Sequence, residues 1–166
     1  MKNIVLIGMP GSGKSTLGRY LAELLGREFL DADEEIEKAS GQTIPELFAV
    51  SEDRFRDWET AIVRKLSQTD NKVLAMGGGV VLREENIACL KKNGLIVFID
   101  RSPGAIVRDI ETGSRPLLAA GKEKIYELYA RREKLYREAA DLTVTNGGSL
   151  KAGLTALLRG VKERLG

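Results

Sequence analysis

Ile4-Val5-Leu6-Ile7-Gly8-Met9-Pro10-Gly11-Ser12-Gly13-Lys14-Ser15-Thr16 is the stretch that decides the fold. The apolar run Ile4 to Ile7 has the length and bulk of a buried strand, and it stops at Gly8. Gly8, Gly13, Lys14 and Ser15 then fill the pattern Gly-x-x-x-x-Gly-Lys-Ser, a phosphate-binding loop. Glycines there let consecutive backbone N–H groups turn inward around a polyphosphate, and the helix that follows, expected from Thr16 to Leu25, adds the positive end of its dipole. Lys14 reaches the β- and γ-phosphates and the Ser15 hydroxyl is placed to ligate Mg²⁺. The competing reading is a strand-to-helix glycine turn with no ligand.

Composition narrows the rest. The chain has 166 residues, the size of one domain, and 26 basic against 24 acidic side chains leave a formal charge of +2. So small a net charge provides no long-range field for nucleic acid or an anionic membrane. Cys89 is the only cysteine, which excludes an internal disulfide and suits a reducing compartment; it reads as a core filler. The opening Met-Lys-Asn-Ile-Val has no signal-peptide pattern and no stretch approaches membrane-spanning length, so a cytoplasmic protein is expected. Histidine is absent, which removes histidine bases, triads and histidine metal sites and leaves carboxylates as proton acceptors.

Strand and helix patterns alternate along the chain. Strands are expected at 28–30, 72–76, 95–99 and 142–145. Helices are expected from Glu34, from Pro45 behind a Thr43 cap, over 52–66 with Phe55, Trp58, Ile62 and Leu66 on one stripe, over 83–91, from Pro103 to about 112, through a long span ending near 139, and from Ser149 to the end. This predicts an α/β fold of three layers, helices on both faces of a five-stranded parallel sheet, with ligands at the carboxyl ends of the strands. The breaks after the strands therefore converge on one edge.

At that edge, Asp31 and Asp33 end the second strand. One carboxylate can lean toward Mg²⁺ near Ser15 while the other faces the neighbouring cleft, the two tasks that phosphoryl transfer to a hydroxyl requires. Alternatively Asp33 merely caps a helix beginning at Glu34. Arg56 and Glu59, three apart on one helix face, make an arginine fork for a carboxylate or diol, or an ordinary ion pair, with Glu52 a further partner. Gly77-Gly78-Gly79 closes a buried strand and offers backbone donors, or forms a tight turn. Gly113-Ser114-Arg115-Pro116 reads as a segment that closes over the site carrying one cation, or as an exposed loop arginine.

Taken together, these pieces resemble the shikimate kinase family. The likeness runs along the whole chain: the loop 8–16, Asp-Ala-Asp (31–33), Phe-Arg-Asp-Trp-Glu (55–59), Gly-Gly-Gly (77–79), Arg-Pro-Leu-Leu (115–118) and Arg-Glu-Lys-Leu-Tyr (132–136). It implies a nucleoside-monophosphate-kinase-like P-loop domain over 1–166, with mobile substrate-binding helices over about 32–60 and a lid over about 109–123. It also implies ATP-dependent phosphorylation of the shikimate 3-hydroxyl. Gly11, Ser12, Gly13, Lys14, Ser15 and Thr16, with Arg108 on the adenine and Arg115 on the transferring phosphate, would bind ATP. Ser15 and Asp31 would hold Mg²⁺. Asp33 would act on the acceptor hydroxyl, Arg56 and Arg132 would clamp the shikimate carboxylate, Gly78 and Gly79 would line the pocket, and Glu59 would support Arg56. Shikimate and ATP are the expected partners, with no nucleic acid or membrane, and the chain is expected to be a monomer. Met76 stands before the triple glycine, where relatives often carry a small hydroxyl residue. A gluconate-type kinase and a nucleotide-dependent switch are the competing assignments; Asn-Lys-x-Asp, the guanine-recognition pattern, does not occur in the chain.

Overall fold

Period-two alternation along the first strand sets the layering. The computed structural model describes residues 1–111 and 119–165, with Ala119 and Ala120 described by backbone alone. In β1 (Asn3–Ile7), Ile4 and Leu6 pack on one face of the sheet and Val5 and Ile7 on the other. Both faces are dry, so the strand reads as an unbroken apolar run. The chain continues through α1 (Lys14–Leu25), β2 (Glu28–Asp31), α2 (Ala32–Ser40), α3 (Ile44–Val50) and α4 (Glu52–Ser67). Then come β3 (Lys72–Ala75), a 3₁₀ turn (Val80–Leu82), α5 (Glu84–Lys92), β4 (Gly94–Asp100), α6 (Pro103–Glu111), α7 (Ala119–Ala139), β5 (Leu142–Thr145) and α8 (Leu150–Leu165).

The five strands are all parallel, in the order β2-β3-β1-β4-β5, with Ile4 in register with Val73 on one side and Leu95 on the other. Leu17, Leu21, Leu157 and Val161 from α1 and α8 cover one face. Ile36, Phe55, Val63, Leu90 and Tyr136 from α2, α4, α5 and α7 cover the other. This is the expected three-layer α/β/α arrangement.

Some details differ from the sequence expectation. Helix α1 begins at Lys14 rather than Thr16, because Gly13 already supplies the left-handed residue that caps it (φ 96°). Asp31, not Asp33, caps α2, which starts at Ala32. Cys89 and Trp58 are half-buried at the rim of the core. The 3₁₀ turn after the triple glycine had no sequence signal. Gly113, Ser114, Arg115 and Pro116, with much of the expected lid, lie outside the described residues. No described helix is long and apolar enough to cross a membrane.

Candidate active site

The carboxyl ends of β1, β2 and β3 bring residues 8–16, 31–33 and 77–79 to one edge, as parallel topology demands. In the first of these, Lys14 sits at the base of the loop with its Nζ donating to the carbonyls of Gly8 and Met9, both at 2.8 Å. The ammonium is thus kept hydrogen-bonded in the interior. Burial lowers its pKa to about 8, against the pull of Asp33 and Asp31.

Ser15 is the first link between the loop and β2, its hydroxyl donating to Asp31 Oδ2 at 2.9 Å. The other oxygen of Asp31 accepts from the backbone of Asp33 (2.9 Å) and Glu34 (3.4 Å), closing the open N-terminus of α2. One carboxylate therefore anchors a helix and presents an oxygen beside Ser15. A hydroxyl and a carboxylate side by side at the mouth of a phosphate loop are the hard oxygen donors that Mg²⁺ takes alongside phosphates and water. The residues present fit that ion.

Freed from capping, Asp33 turns the other way. Its Oδ1 is buried and accepts no hydrogen bond among the described residues. A Cβ placed on Gly77 would lie 3.1 Å from both Asp33 Oδ1 and Glu59 Oε2, so the two carboxylates flank that glycine. Burial raises the Asp33 pKa, Asp31 adds to the rise, and Lys14 and Arg56 oppose it. Such a carboxylate, desolvated and short of partners, is poised to accept a proton.

Arg56 and Glu59 are a buried pair, 8% and 1% exposed. Arg56 Nη1 meets Glu59 Oε1 at 2.9 Å and its Nε reaches the exposed Glu52 at 3.4 Å, so both expected partners are present. The guanidinium lies 5.1 Å from the Phe55 ring centre and 5.8 Å from that of Phe48, which stack on each other. Four contacts thus fix a cation that an exposed ion pair would leave mobile. Burial raises the pKa of Glu59 while Arg56 holds it down. Gly79 packs against the Arg56 guanidinium so closely that no Cβ fits there.

Asp33, Arg56, Gly78, Gly79, Phe48 and Arg132 line a cavity of about 260 Å³. Arg132 arrives from α7, more than seventy positions after Arg56 in the chain. That helix is clasped to the end of β4: the Tyr129 hydroxyl lies 2.9 Å from both Asp100 and Glu133, and Arg137 bridges the same two carboxylates.

A second cleft, about 300 Å³, opens on the other side of the loop and is lined by Gly11, Ser12, Gly13, Thr16, Arg101 and Asn146 among others. Asn146 Nδ2 donates to the Ser12 carbonyl and Arg101 Nη1 donates to the Asn146 carbonyl, each at 2.8 Å, while Arg101 also pairs with Asp109. Arg108 is exposed on α6, next to Asp109, and is not in this lining. Arg115 lies outside the described residues. Arg101 escaped sequence reading because nothing in Asp100-Arg101-Ser102 distinguishes it; only pairing with residues 8 and 45 positions away places it at the cleft.

Two clefts on either side of the phosphate loop, one lined by loop residues with Arg101 and Asn146 and one by Asp33, Arg56 and Arg132, are the division that a P-loop phosphotransferase needs. The protein is of that class. Comparison with known proteins takes the assignment further. The family model for shikimate kinase matches residues 10–161. The chain is 48% identical over 151 residues to a shikimate kinase of Clostridium botulinum, covering 90% of this chain and 92% of that one. Among solved structures it is similar to a shikimate kinase from Acinetobacter baumannii in complex with shikimate (TM-score 0.87, 36% identity, 99% and 93% coverage). A gluconokinase from Sinorhizobium meliloti, at 17% identity and TM-score 0.63 over 98% and 93% of the two chains, shares the fold alone. The chain belongs to the shikimate kinase family.

Proposed function

We propose that this chain transfers the γ-phosphoryl group of ATP to the 3-hydroxyl of shikimate, giving shikimate 3-phosphate on the route to chorismate and the aromatic amino acids. The observation that carries this is the cavity beside the phosphate loop, where two arginines from distant helices face one partner-poor aspartate. Shikimate is a small hydrophilic ring with one carboxylate and three hydroxyls. Arginine forks, an aspartate and backbone donors recognise it better than an apolar slot.

In this reading the loop 11–16 cradles the ATP phosphates, and Lys14 releases the Gly8 and Met9 carbonyls to reach the β- and γ-phosphates. Arg56 and Arg132 clamp the shikimate carboxylate, and the ring then lies with its 3-hydroxyl at Asp33. Asp33 orients that hydroxyl and accepts its proton as the oxygen attacks phosphorus. Ser15 and Asp31 would hold Mg²⁺, which supplies charge neutralisation on the β- and γ-oxygens. Arg108 packs on the adenine, and Arg115 neutralises the transferring phosphoryl as the segment over about 109–123 closes with the helices over about 32–60. A cytoplasmic monomer completes the proposal.

A coupled ADP-release assay tests it. Turnover should depend on shikimate and be absent with gluconate or with no acceptor. Equal turnover with gluconate, or none with shikimate, overturns the reading.

A further inference from the structure

Tyr136 is fully buried, stacked on Phe98 with ring centres 5.1 Å apart, and its hydroxyl donates to the Gly78 carbonyl at 2.6 Å. Of the three carbonyls in the glycine run, those of Gly77 and Gly79 accept from Val80 and Leu82 within the 3₁₀ turn, while that of Gly78 points outward to this phenol. Gly78 is held from its other side by Pro10 of the phosphate loop: a Cβ at Gly78 would lie 2.7 Å from Pro10 Cδ. The middle peptide of the glycine run is therefore gripped between α7 and the loop at residues 8–13.

Because a peptide group is planar and trans, fixing the Gly78 C=O also fixes the direction of the Gly79 N–H, which points the opposite way. Arg132 sits one helical turn before Tyr136 on α7, and its guanidinium lies beside the phenol. We propose that Tyr136 is a positioning residue for the acceptor half of the site, its hydroxyl locking the Gly78–Gly79 peptide at a set distance from Arg132 and from the phosphate loop. This rests on the cavity being the shikimate site. Burial raises the pKa of the phenol, so it remains a donor throughout the working pH range. With the hydroxyl gone, the peptide is free to tilt, and the Gly79 N–H in the lining of the cavity loses its set direction.

Tyr136→Phe keeps the ring and its stacking and removes the hydroxyl, with its donation to Gly78 and its contact with the Arg132 guanidinium; the Gly79 exchange rate reads the first of these by itself. Loss of one buried hydrogen bond that orients a substrate contact should raise the shikimate KM about five- to tenfold, leave the ATP KM unchanged and leave kcat within about threefold. In the substrate-free protein, the Gly79 amide should exchange with deuterium several times faster than in the parent, with the melting temperature showing that the fold survives. A shikimate KM within twofold of the parent, or both KM values rising together, overturns the proposal. If the unaltered protein fails to turn over shikimate, the functional reading has failed instead, and the Gly79 exchange rate still decides whether Tyr136 holds the glycine run.

Discussion

Asp33 differs from its neighbour Asp31 by two positions in sequence and by everything in environment. Asp31 spends its oxygens on Ser15 and on the start of α2; Asp33 keeps a buried oxygen without a hydrogen-bond partner among the described residues. Asp33→Asn should leave both substrates bound and slow transfer by at least ~10²-fold, measured as kcat beside calorimetric affinities. An unchanged kcat would remove Asp33 from the chemistry. The same substitution carries a stability signature. A carboxyl whose folded pKa is raised stabilises the protein at pH values below its unfolded pKa, and that contribution is lost as pH rises through the folded value. The ionised Asp33 is therefore a net cost at neutral pH, and Asp33→Asn should melt above the parent at pH 7. Arg56→Ala, by contrast, leaves Glu59 buried without its partner. It should abolish detectable shikimate binding while ATP still binds; loss of both would indicate a collapsed site.

At the scale of elements, α2 and α7 are the parts whose placement makes the site. The Asp31 carboxylate has a structural duty and a proposed metal-holding duty, and two substitutions separate them. Asn is as good an N-cap as Asp, so Asp31→Asn should retain stability yet require several-fold more Mg²⁺ for half-maximal activity, because the neutral amide is the poorer ligand. Asp31→Ala should lose both, with about 1 kcal/mol off the unfolding free energy for the missing cap. Denaturant titrations and Mg²⁺ titrations of the pair check this; identical stability losses in both variants would refute the division. Helix α7 is held by the Tyr129–Asp100–Arg137–Glu133 clasp, and Arg132 projects into the cavity from the turn between those anchors.

Over the whole molecule, the sheet edge concentrates charge in a place that burial makes expensive. The folded pKa of Lys14, about 8, lies below the ordinary lysine value of 10.5. The folded state therefore binds fewer protons than the unfolded chain between those values, and this group makes stability rise with pH across that window. ATP needs the ammonium, so nucleotide binding should take up a proton near pH 8.5, and ATP affinity should fall about tenfold per pH unit above 8. Calorimetry in two buffers of different ionisation enthalpy reads that proton directly; a buffer-independent heat at pH 8.5 would show that Lys14 is fully charged before ATP arrives.

The amino-acid order by itself determined the phosphate loop, the parallel three-layer sheet and the identity of most candidate ligands. These depend on short-range patterns: Gly-x-x-x-x-Gly-Lys-Ser, unbroken apolar strands, and carboxylates or glycines where strands stop. Asp31 against Asp33 was only half legible, since either spacing allows a helix cap and the choice depends on which oxygen Ser15 reaches. The worth of Arg56 was equally open, because an i,i+3 ion pair looks the same in sequence whether water surrounds it or Phe48, Phe55 and Gly79 enclose it. Tyr136 stands in the sequence only as the last residue of Arg-Glu-Lys-Leu-Tyr and Arg101 not at all; what each of them holds was decided by the tertiary structure alone. Their partners, Gly78 for one and Asn146 for the other, lie far away along the chain, and no periodicity within a helix or strand encodes which distant carbonyl a donor will meet once the layers close.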